Sequence, residues 1–165
     1  SGAILEYLAE KTGLYIPPDL RGRWECLQWL YWQKAGLGPM AGQTHHFKLY
    51  AQEKIPYAID RYVRETGRLY AVLNKRLADR EFIAGGYTIA DMAAFTWTKY
   101  AGWIGQKVED FPELMRWHQA MAARPAVARA YARADRDIPD GKAEWKSDEF
   151  RANMFGHTAK SLGLV

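Results

Sequence analysis

Apolar residues recur every three or four positions along most of this chain, and no window shows the strict alternation of apolar and polar residues that marks a half-buried strand. The clearest example covers roughly residues 55–77, where apolar side chains form one stripe and Arg61, Arg64 and Arg68 lie on another side. Such helices are stable when their apolar stripes pack against each other. The pattern therefore predicts an all-α fold, and 165 residues with 48% apolar and 25% charged residues suit a globular domain.

Several helix boundaries carry local signals. The hydroxyl of Ser1 can cap a first helix, and Gly13 supplies the left-handed residue that ends it. Residues 36–39 contain two glycines and a proline, which should kink or break the second helix. Thr88 and Asp91 have the spacing of a capping box, so we assign them to helix nucleation rather than to a catalytic dyad.

Candidate residues for catalysis and metal binding are few. His45 and His46 point about 100° apart on a helix and have no Cys, His or carboxylate three or four residues away, so no metal site is expected. Either imidazole lines a pocket or lies at the surface, and the pattern does not decide between these. Residues 36–41 formally match a dinucleotide fingerprint, but they follow a helix rather than the strand that such a site requires. Cys26 lies among large apolar residues without a neighbouring His, so we predict a core residue rather than a nucleophile.

The arginines of the third predicted helix admit two interpretations. Arg61, Arg64 and Arg68 share a face that could bind a carboxylate or a phosphate. Asp60 with Arg64, and Arg61 with Glu65, also have the spacing of ordinary ion pairs one helical turn apart. The ion-pair interpretation is favoured, because exposed charges on a helix usually pair in this way.

Composition limits the binding partners and the cellular location expected for this protein. The net charge of +4 is spread along the chain, so no nucleic-acid partner is expected. No apolar run approaches the roughly 20 residues of a membrane helix, and no membrane association is expected. A single cysteine cannot form an internal disulfide, which favours a reducing compartment, and a cytoplasmic location is expected. The chain starts at Ser1 rather than at Met, so it is expected to be the later part of a longer protein.

Three motifs, in this order along the chain, resemble the C-terminal all-helical domain of cytosolic glutathione transferases. They are Ile83-x-Gly85-x-x-Thr88-Ile89-Ala90-Asp91, Phe111-Pro112-Glu113-Leu114-x-x-Trp117 and Arg124-Pro125-Ala126-Val127. The resemblance implies a glutathione-transferase C-terminal-type helical bundle, preceded by the last helix of a thioredoxin-like domain that is otherwise missing. The implied organisation is a terminal helix of that domain over residues 1–13, the helical domain over residues 17–135 and a polar tail over residues 136–165.

Residues 27–47, with Gly36-Leu37-Gly38-Pro39-Met40 and His45-His46-Phe47, resemble the bacterial nu class of glutathione-dependent disulfide-bond oxidoreductases. The resemblance implies glutathione as cosubstrate without a metal, and Ser1 as a glutathione-binding residue that holds the γ-glutamyl group together with a preceding Glu. The missing domain would carry the Thr and Asn near the sulfur, so this chain alone should be inactive. We chose the residues of a pocket for a small electrophile or disulfide from the kinked helix and from the helix behind the capping box; they are Met40, Gln43, His45, Phe47 and Tyr100.

The resemblance also implies a homodimer, built across the helix that follows Pro17 and the helix that begins near Ile55. A second class of function, without catalysis, is also compatible with the sequence. Helical domains similar to those of glutathione transferases also serve as assembly scaffolds, so the alternative is a non-catalytic protein-interaction module.

Overall fold

The computed structural model describes residues 1–137, 147–158 and 160–164. These residues form α-helices and no β-strand, which confirms the all-α prediction. The helices, in chain order, are α1 (Gly2–Thr12), α2 (Leu20–Trp32), α3 (Gly38–His45), α4 (Pro56–Arg76), α5 (Ile89–Phe95), α6 (Pro112–Ala122), α7 (Pro125–Asp137) and α8 (Asp148–Phe155).

The chain divides into two compact units, Ser1–Ala123 and Arg124–Val165. The first unit holds α1 to α6, and the second holds α7 and α8. Of the polar tail expected over residues 136–165, the segments 138–146, 159 and 165 lie outside the described residues. The core of the first unit is made of side chains from several helices and from the turn before α5; the largest fully buried ones include Leu30, Leu37, Tyr70, Leu73, Ile83, Ile104, Leu114, Trp117 and Met121.

The predicted kink after α2 is a π-helical turn over Gln33–Leu37, and the backbone stays helical through it into α3. Pro39 is the second residue of α3, and it has no N–H to donate to the helical turn that precedes it. A second π-helical turn, His46–Tyr50, follows α3. The segment therefore changes its winding without breaking, and such turns are often found at functional sites.

Helix α4, with 21 residues, carries the predicted ion-pair face. Arg64 pairs with Asp60, and Arg61 Nη1 lies 3.8 Å from Glu65 Oε2. Arg68 donates two hydrogen bonds to the carboxylate of Glu65, at 2.9 and 2.7 Å. The ion-pair interpretation of this face is thereby confirmed.

The buried face of α4 is tied to α3 through a polar contact. The hydroxyls of Thr44 and Thr66 lie 2.8 Å apart, and both residues are completely buried. Thr44 Oγ1 also lies within hydrogen-bonding distance of the carbonyls of Met40 and Tyr62. A carbonyl can only accept, so any hydrogen bond to these two oxygens is donated by the Thr44 hydroxyl, whereas either threonine can donate between the two hydroxyls.

Thr88 and Asp91 form the predicted capping box at the start of α5. Asp91 Oδ2 accepts the backbone N–H of Thr88 at 2.9 Å and the Thr88 hydroxyl at 3.0 Å. The preceding turn is held as well, because Asp91 Oδ1 accepts the N–H of Ile83. The box therefore fixes both the helix start and the loop that leads into it.

Candidate functional site

A cleft of about 380 Å³ opens where the N-terminus of α1 meets the π-helical turn after α2 and the start of α3. Both glycines of α3 line it, so its wall there is backbone rather than side chain. The complete lining is Ser1, Gln33, Lys34, Gly38, Pro39, Gly42, Gln43 and Trp97.

The side chain of Lys34 bridges the π-helical turn and the start of α1. Its Nζ donates a hydrogen bond of 2.7 Å to Ser1 Oγ, and its aliphatic stem lies across Gly2. A Cβ at position 2 would lie 3.5 Å from two carbons of that stem, which is an ordinary van der Waals distance. Burial lowers the pKa of the Lys34 ammonium, and no carboxylate in the described part of the chain contributes to this shift.

The predicted capping of α1 by the Ser1 hydroxyl is wrong, because Ser1 makes no side-chain hydrogen bond to the helix. Its oxygen is instead engaged by Lys34. The first turn of α1 contains no acidic residue, and the first N–H groups of any helix lack intrahelical partners. The positive end of α1 therefore faces the cleft together with an ammonium group. Gly13 does end the helix in the left-handed conformation, with φ 67°, as predicted.

Gln33 contributes an unusual polar group to the wall of the cleft. Its side chain is 1% exposed, and Oε1 has no hydrogen-bond partner among the described residues. A Cβ at Gly38 would lie 2.8 Å from Gln33 Nε2 and 3.3 Å from Trp97 Nε1, so both polar nitrogens lie directly against this glycine. A side chain at position 38 would displace the amide and the indole, which makes the glycine a requirement of the site.

His45 lies behind the indole of Trp97 rather than in the cleft. Its Nδ1 is 2.8 Å from the carbonyl oxygen of Ala41, so Nδ1 must carry the proton and donate, which leaves Nε2 as an acceptor. Burial lowers the pKa of the imidazole, and the ring is neutral at pH 7. The ring meets Trp97 edge to face, with centroids 6.2 Å apart, and thereby supports the wall of the cleft.

The residues predicted to form one pocket do not lie together in the structure. Gln43 lines the cleft together with Ser1, whereas the other four do not. Phe47 stacks on Tyr62 with a centroid distance of 5.5 Å, and Tyr100 stacks on Trp103 at 4.5 Å. Met40 is half-buried on α3, and its carbonyl oxygen lies 2.9 Å from Thr44 Oγ1. The structure thus joins two of the predicted residues at the cleft, and their role in binding stays a prediction.

Sequence analysis missed six of the eight residues that line the cleft, and three of these six carry a polar side-chain group: Gln33, Lys34 and Trp97. Gln33 carried a usable signal, because a polar residue in an apolar helical run is a candidate for a buried hydrogen-bonding group. Lys34 carried none, since nothing in the local pattern relates it to a residue 33 positions earlier.

In the part of the chain that the structure describes, no group of three or more His, Cys, Asp or Glu side chains is placed to hold a metal ion. None of the described helices combines the length and the apolar character needed to cross a bilayer.

The all-α fold is the one expected of the helical domain of a glutathione transferase. Residues 37–125 match the family model described as the C-terminal domain of glutathione S-transferase. The chain belongs to this family, which confirms the family expected from its motifs.

Relatives and solved structures agree with this assignment. The chain is 49% identical over 137 residues to the disulfide-bond oxidoreductase YfcG of Escherichia coli, and the match covers 81% of this chain and 63% of that protein. A glutathione transferase from Burkholderia graminis, solved with two glutathione molecules per subunit, is 43% identical to this chain, with a TM-score of 0.72. That match covers 57% of the Burkholderia chain and 78% of this chain. A glutathione transferase from Pseudomonas putida, solved with one glutathione disulfide per subunit, is 38% identical with a TM-score of 0.71, over 59% of its length and 78% of this chain. The chain thus spans about three fifths of each of these proteins.

Proposed function

We propose that this chain is the helical domain of a glutathione-dependent disulfide-bond oxidoreductase. The observation that carries the proposal is the cleft at the start of α1, where Ser1, which directly precedes the helix, and Lys34 line one small volume. The 49% identity to an Escherichia coli protein named as a disulfide-bond oxidoreductase supports the reaction class. In this proposal residues 1–13 belong to a thioredoxin-like domain, as the resemblance implied.

The chemistry assigned to the whole protein is thiol–disulfide exchange. The thiolate of one glutathione attacks a sulfur of the disulfide substrate, the S–S bond breaks, and the leaving thiolate takes a proton from solvent. A second glutathione thiolate then attacks the mixed disulfide, which releases the second substrate thiol and glutathione disulfide. Two glutathione molecules are oxidised and one substrate disulfide is reduced, so the step needs no cysteine of the protein.

The contribution of this chain is to position the ligand. A carboxylate of the γ-glutamyl group fits the N-terminus of α1, because bare helix N–H groups and the helix dipole both favour an anion there. The half-exposed edge of Trp97 and the exposed side chain of Gln43 offer surface to the second substrate. Met40, His45, Phe47 and Tyr100 remain proposed as its more distant neighbours.

Exposed apolar side chains support the proposed assembly. On α2, Trp24 and Tyr31 are 60% and 50% exposed, and Tyr57 on α4 is 77% exposed, which is consistent with a homodimer across these helices. On α1, Ile4 and Leu8 are 63% and 49% exposed, which is consistent with a domain packed on that side. The single cysteine supports the proposed cytoplasmic location.

The test is calorimetric titration of glutathione and of glutathione disulfide into two proteins. One is the 165-residue chain, and the other is produced with the coding sequence upstream of Ser1. Disulfide reductase activity is measured on both with hydroxyethyl disulfide. Binding and activity in the longer protein alone are the expected result. Absence of binding and activity in both would overturn the proposal and leave the non-catalytic interaction module as the better hypothesis.

A further inference from the structure

We infer that a second cavity, between the end of α5 and α6, binds a small organic anion whose carboxylate lies against Lys99 and His118. The cavity has a volume of about 410 Å³ and shares no lining residue with the cleft at the start of α1. All of its lining residues lie between positions 98 and 119, in the first compact unit. The inference goes beyond the proposed function and does not depend on it.

The shape of this cavity suits a small molecule. Two short 3₁₀ turns, Ala101–Ile104 and Val108–Asp110, contribute to its lining, and α6 contributes Met115 and His118 from one face. Its volume falls within the range of roughly 300–1,000 Å³ that is usual for small-molecule sites. Such sites combine apolar surface with a few polar groups that orient the ligand. Val108 and Met115 offer the apolar surface here.

The charged side chains of the cavity carry an excess of positive charge. Lys99 and Lys107 line it together with a single carboxylate, that of Glu109. Lys107 and Glu109 are exposed, and neither forms an ion pair within the described residues. Lys99 is half-buried, with its ammonium 5.4 Å from the ring centroid of Tyr100. The less exposed part of the cavity is therefore positive, and it favours a ligand that enters with a negative group first.

The imidazole of His118 is a second observation that points to an anion. Neither of its ring nitrogens makes a hydrogen bond in the part of the chain that the structure describes. Nε2 is fully enclosed, and the ring lies 5.0 Å from that of Phe95, centroid to centroid. Enclosed N–H groups without an acceptor are rarer than enclosed acceptors without a donor, so we place the proton on Nδ1. Nδ1 is not enclosed, and its N–H can donate to a carboxylate in the cavity.

The charges around His118 make the binding of an anion depend on pH. Burial lowers the pKa of His118, the Lys99 ammonium lowers it further, and Glu109 opposes both. Lys107 is the other charged group of the cavity, and α6 adds no charged side chain to the lining besides His118. A carboxylate beside the ring would raise the pKa of His118, so binding in mild acid takes up a proton. The affinity for an anion should therefore increase as the pH falls.

The experiment uses benzoate as the probe and uncharged benzamide as its match, in the protein produced with the coding sequence upstream of Ser1. Calorimetric titration measures binding, and the NMR signals of the histidine rings, assigned with His118→Gln, locate it. Two further variants change the charge of the cavity in opposite directions: Lys99→Met removes a positive charge, and Glu109→Gln removes the negative one. The matched control is Lys34→Met, which removes the ammonium of the separate cleft.

We expect one benzoate to bind, to shift the ring signals of His118, and to bind at least about tenfold more tightly than benzamide. Lys99→Met should weaken benzoate binding about tenfold, because a charge-assisted hydrogen bond is lost. Glu109→Gln should strengthen it about twofold, and Lys34→Met should change it less than twofold. Between about pH 7.5 and 5.5 the affinity should rise in the unaltered protein and stay constant in His118→Gln.

Three results would overturn the inference. The first is the absence of saturable benzoate binding, and the second is equal binding of benzamide, which would leave only an apolar cavity. The third is a loss of benzoate binding in Lys34→Met, which would place the probe in the cleft at the start of α1. Circular dichroism establishes that each variant is folded. If Lys99→Met is not folded, an unchanged affinity in Glu109→Gln counts against the inference by itself. Glutathione is absent from these titrations, so failure here leaves the proposed function untouched.

Discussion

The indole Nε1 of Trp117 on α6 donates a 2.9 Å hydrogen bond to Oδ1 of Asp91 on α5. The same carboxylate accepts the N–H of Ile83 and both the N–H and the hydroxyl of Thr88. Asp91 is 0% exposed, and burial raises the pKa of its carboxyl while the four donors oppose that shift. One carboxylate thus joins a loop, a helix start and the centre of a second helix.

Replacing Asp91 should destabilise the first unit severely. In Asp91→Ala, four buried donors lose their acceptor, and we expect the free energy of unfolding to fall by about 3 kcal/mol or more. Asp91→Asn keeps one carbonyl oxygen and should lose less. Urea denaturation followed by tryptophan fluorescence measures both, with the exposed Glu53→Gln as a control expected within about 0.5 kcal/mol of the unaltered chain. A loss below about 1 kcal/mol in Asp91→Ala would contradict the central role of this carboxylate.

Asn74, on α4, caps the N-terminus of a different helix, α6. Its Oδ1 on α4 accepts the N–H groups of Glu113 and Leu114, at 2.9 and 3.0 Å, in the first turn of α6. We expect Asn74→Ala to cost about 1–2 kcal/mol and to speed amide exchange in the first turn of α6. Asn74→Asp keeps the acceptor and adds a negative charge at the helix N-terminus, so its stability should stay near that of the unaltered chain. Equal losses in the two variants would show that the cap does not stabilise α6.

The buried hydroxyls of Thr44 and Thr66 should be energetically coupled. Thr44→Val removes one member of the pair and should cost about 1–2 kcal/mol, because a buried hydroxyl of the other member loses its partner. The double variant with Thr66→Val removes both and should cost less than the sum of the single changes by about 1 kcal/mol. A double-mutant cycle from chemical denaturation measures this coupling, and strict additivity would refute it.

Two half-buried histidines should make stability fall in mild acid. Burial lowers the pKa of His45 and of His118 below the usual value of 6.5. Below pH 6.5 the unfolded chain takes up protons that the folded chain refuses, so the free energy of unfolding decreases as the pH falls toward the folded pKa values. Above pH 6.5 this contribution is constant. Thermal denaturation between about pH 5.5 and 7.5 should show a shallower slope for His45→Asn with His118→Gln, and an unchanged slope would exclude these residues as the cause.

Cys26 should be dispensable for catalysis. The residue is 0% exposed, and burial raises the pKa of its thiol, so little reactive thiolate is present at neutral pH. We expect Cys26→Ala to keep the disulfide reductase activity of the protein produced with its upstream coding sequence. Its stability should fall by about 1 kcal/mol, because a small cavity replaces the sulfur. Labelling of the native protein with iodoacetamide should be slow and become fast on unfolding. Loss of activity in a folded Cys26→Ala variant would require a protein thiol in the reaction.

Features that depend on residues within one or two helical turns could be read from the sequence. The apolar spacing predicted a helix over roughly residues 55–77, and α4 is Pro56–Arg76. The three-residue spacing of Thr88 and Asp91 predicted the capping box that starts α5. Both patterns succeed because one turn of backbone geometry fixes which side chains can meet.

The candidate site depended on tertiary structure. Ser1 was predicted as a helix cap from its position alone, but the Lys34 ammonium, 33 residues later, takes its hydroxyl instead. The Asn74 cap on α6 spans 39 residues to Glu113 and was likewise beyond any local pattern.

The sequence by itself therefore determined the main helices, the capping box of α5 and the family of this chain, since these follow from periodicity and short motifs. Only the packing of α1 against the π-helical turn brought Ser1, Lys34 and the buried amide of Gln33 around one cleft. The physical reason is that side-chain contacts extend over only a few ångströms. The crossing of helices that are far apart in sequence decides which groups lie within that distance.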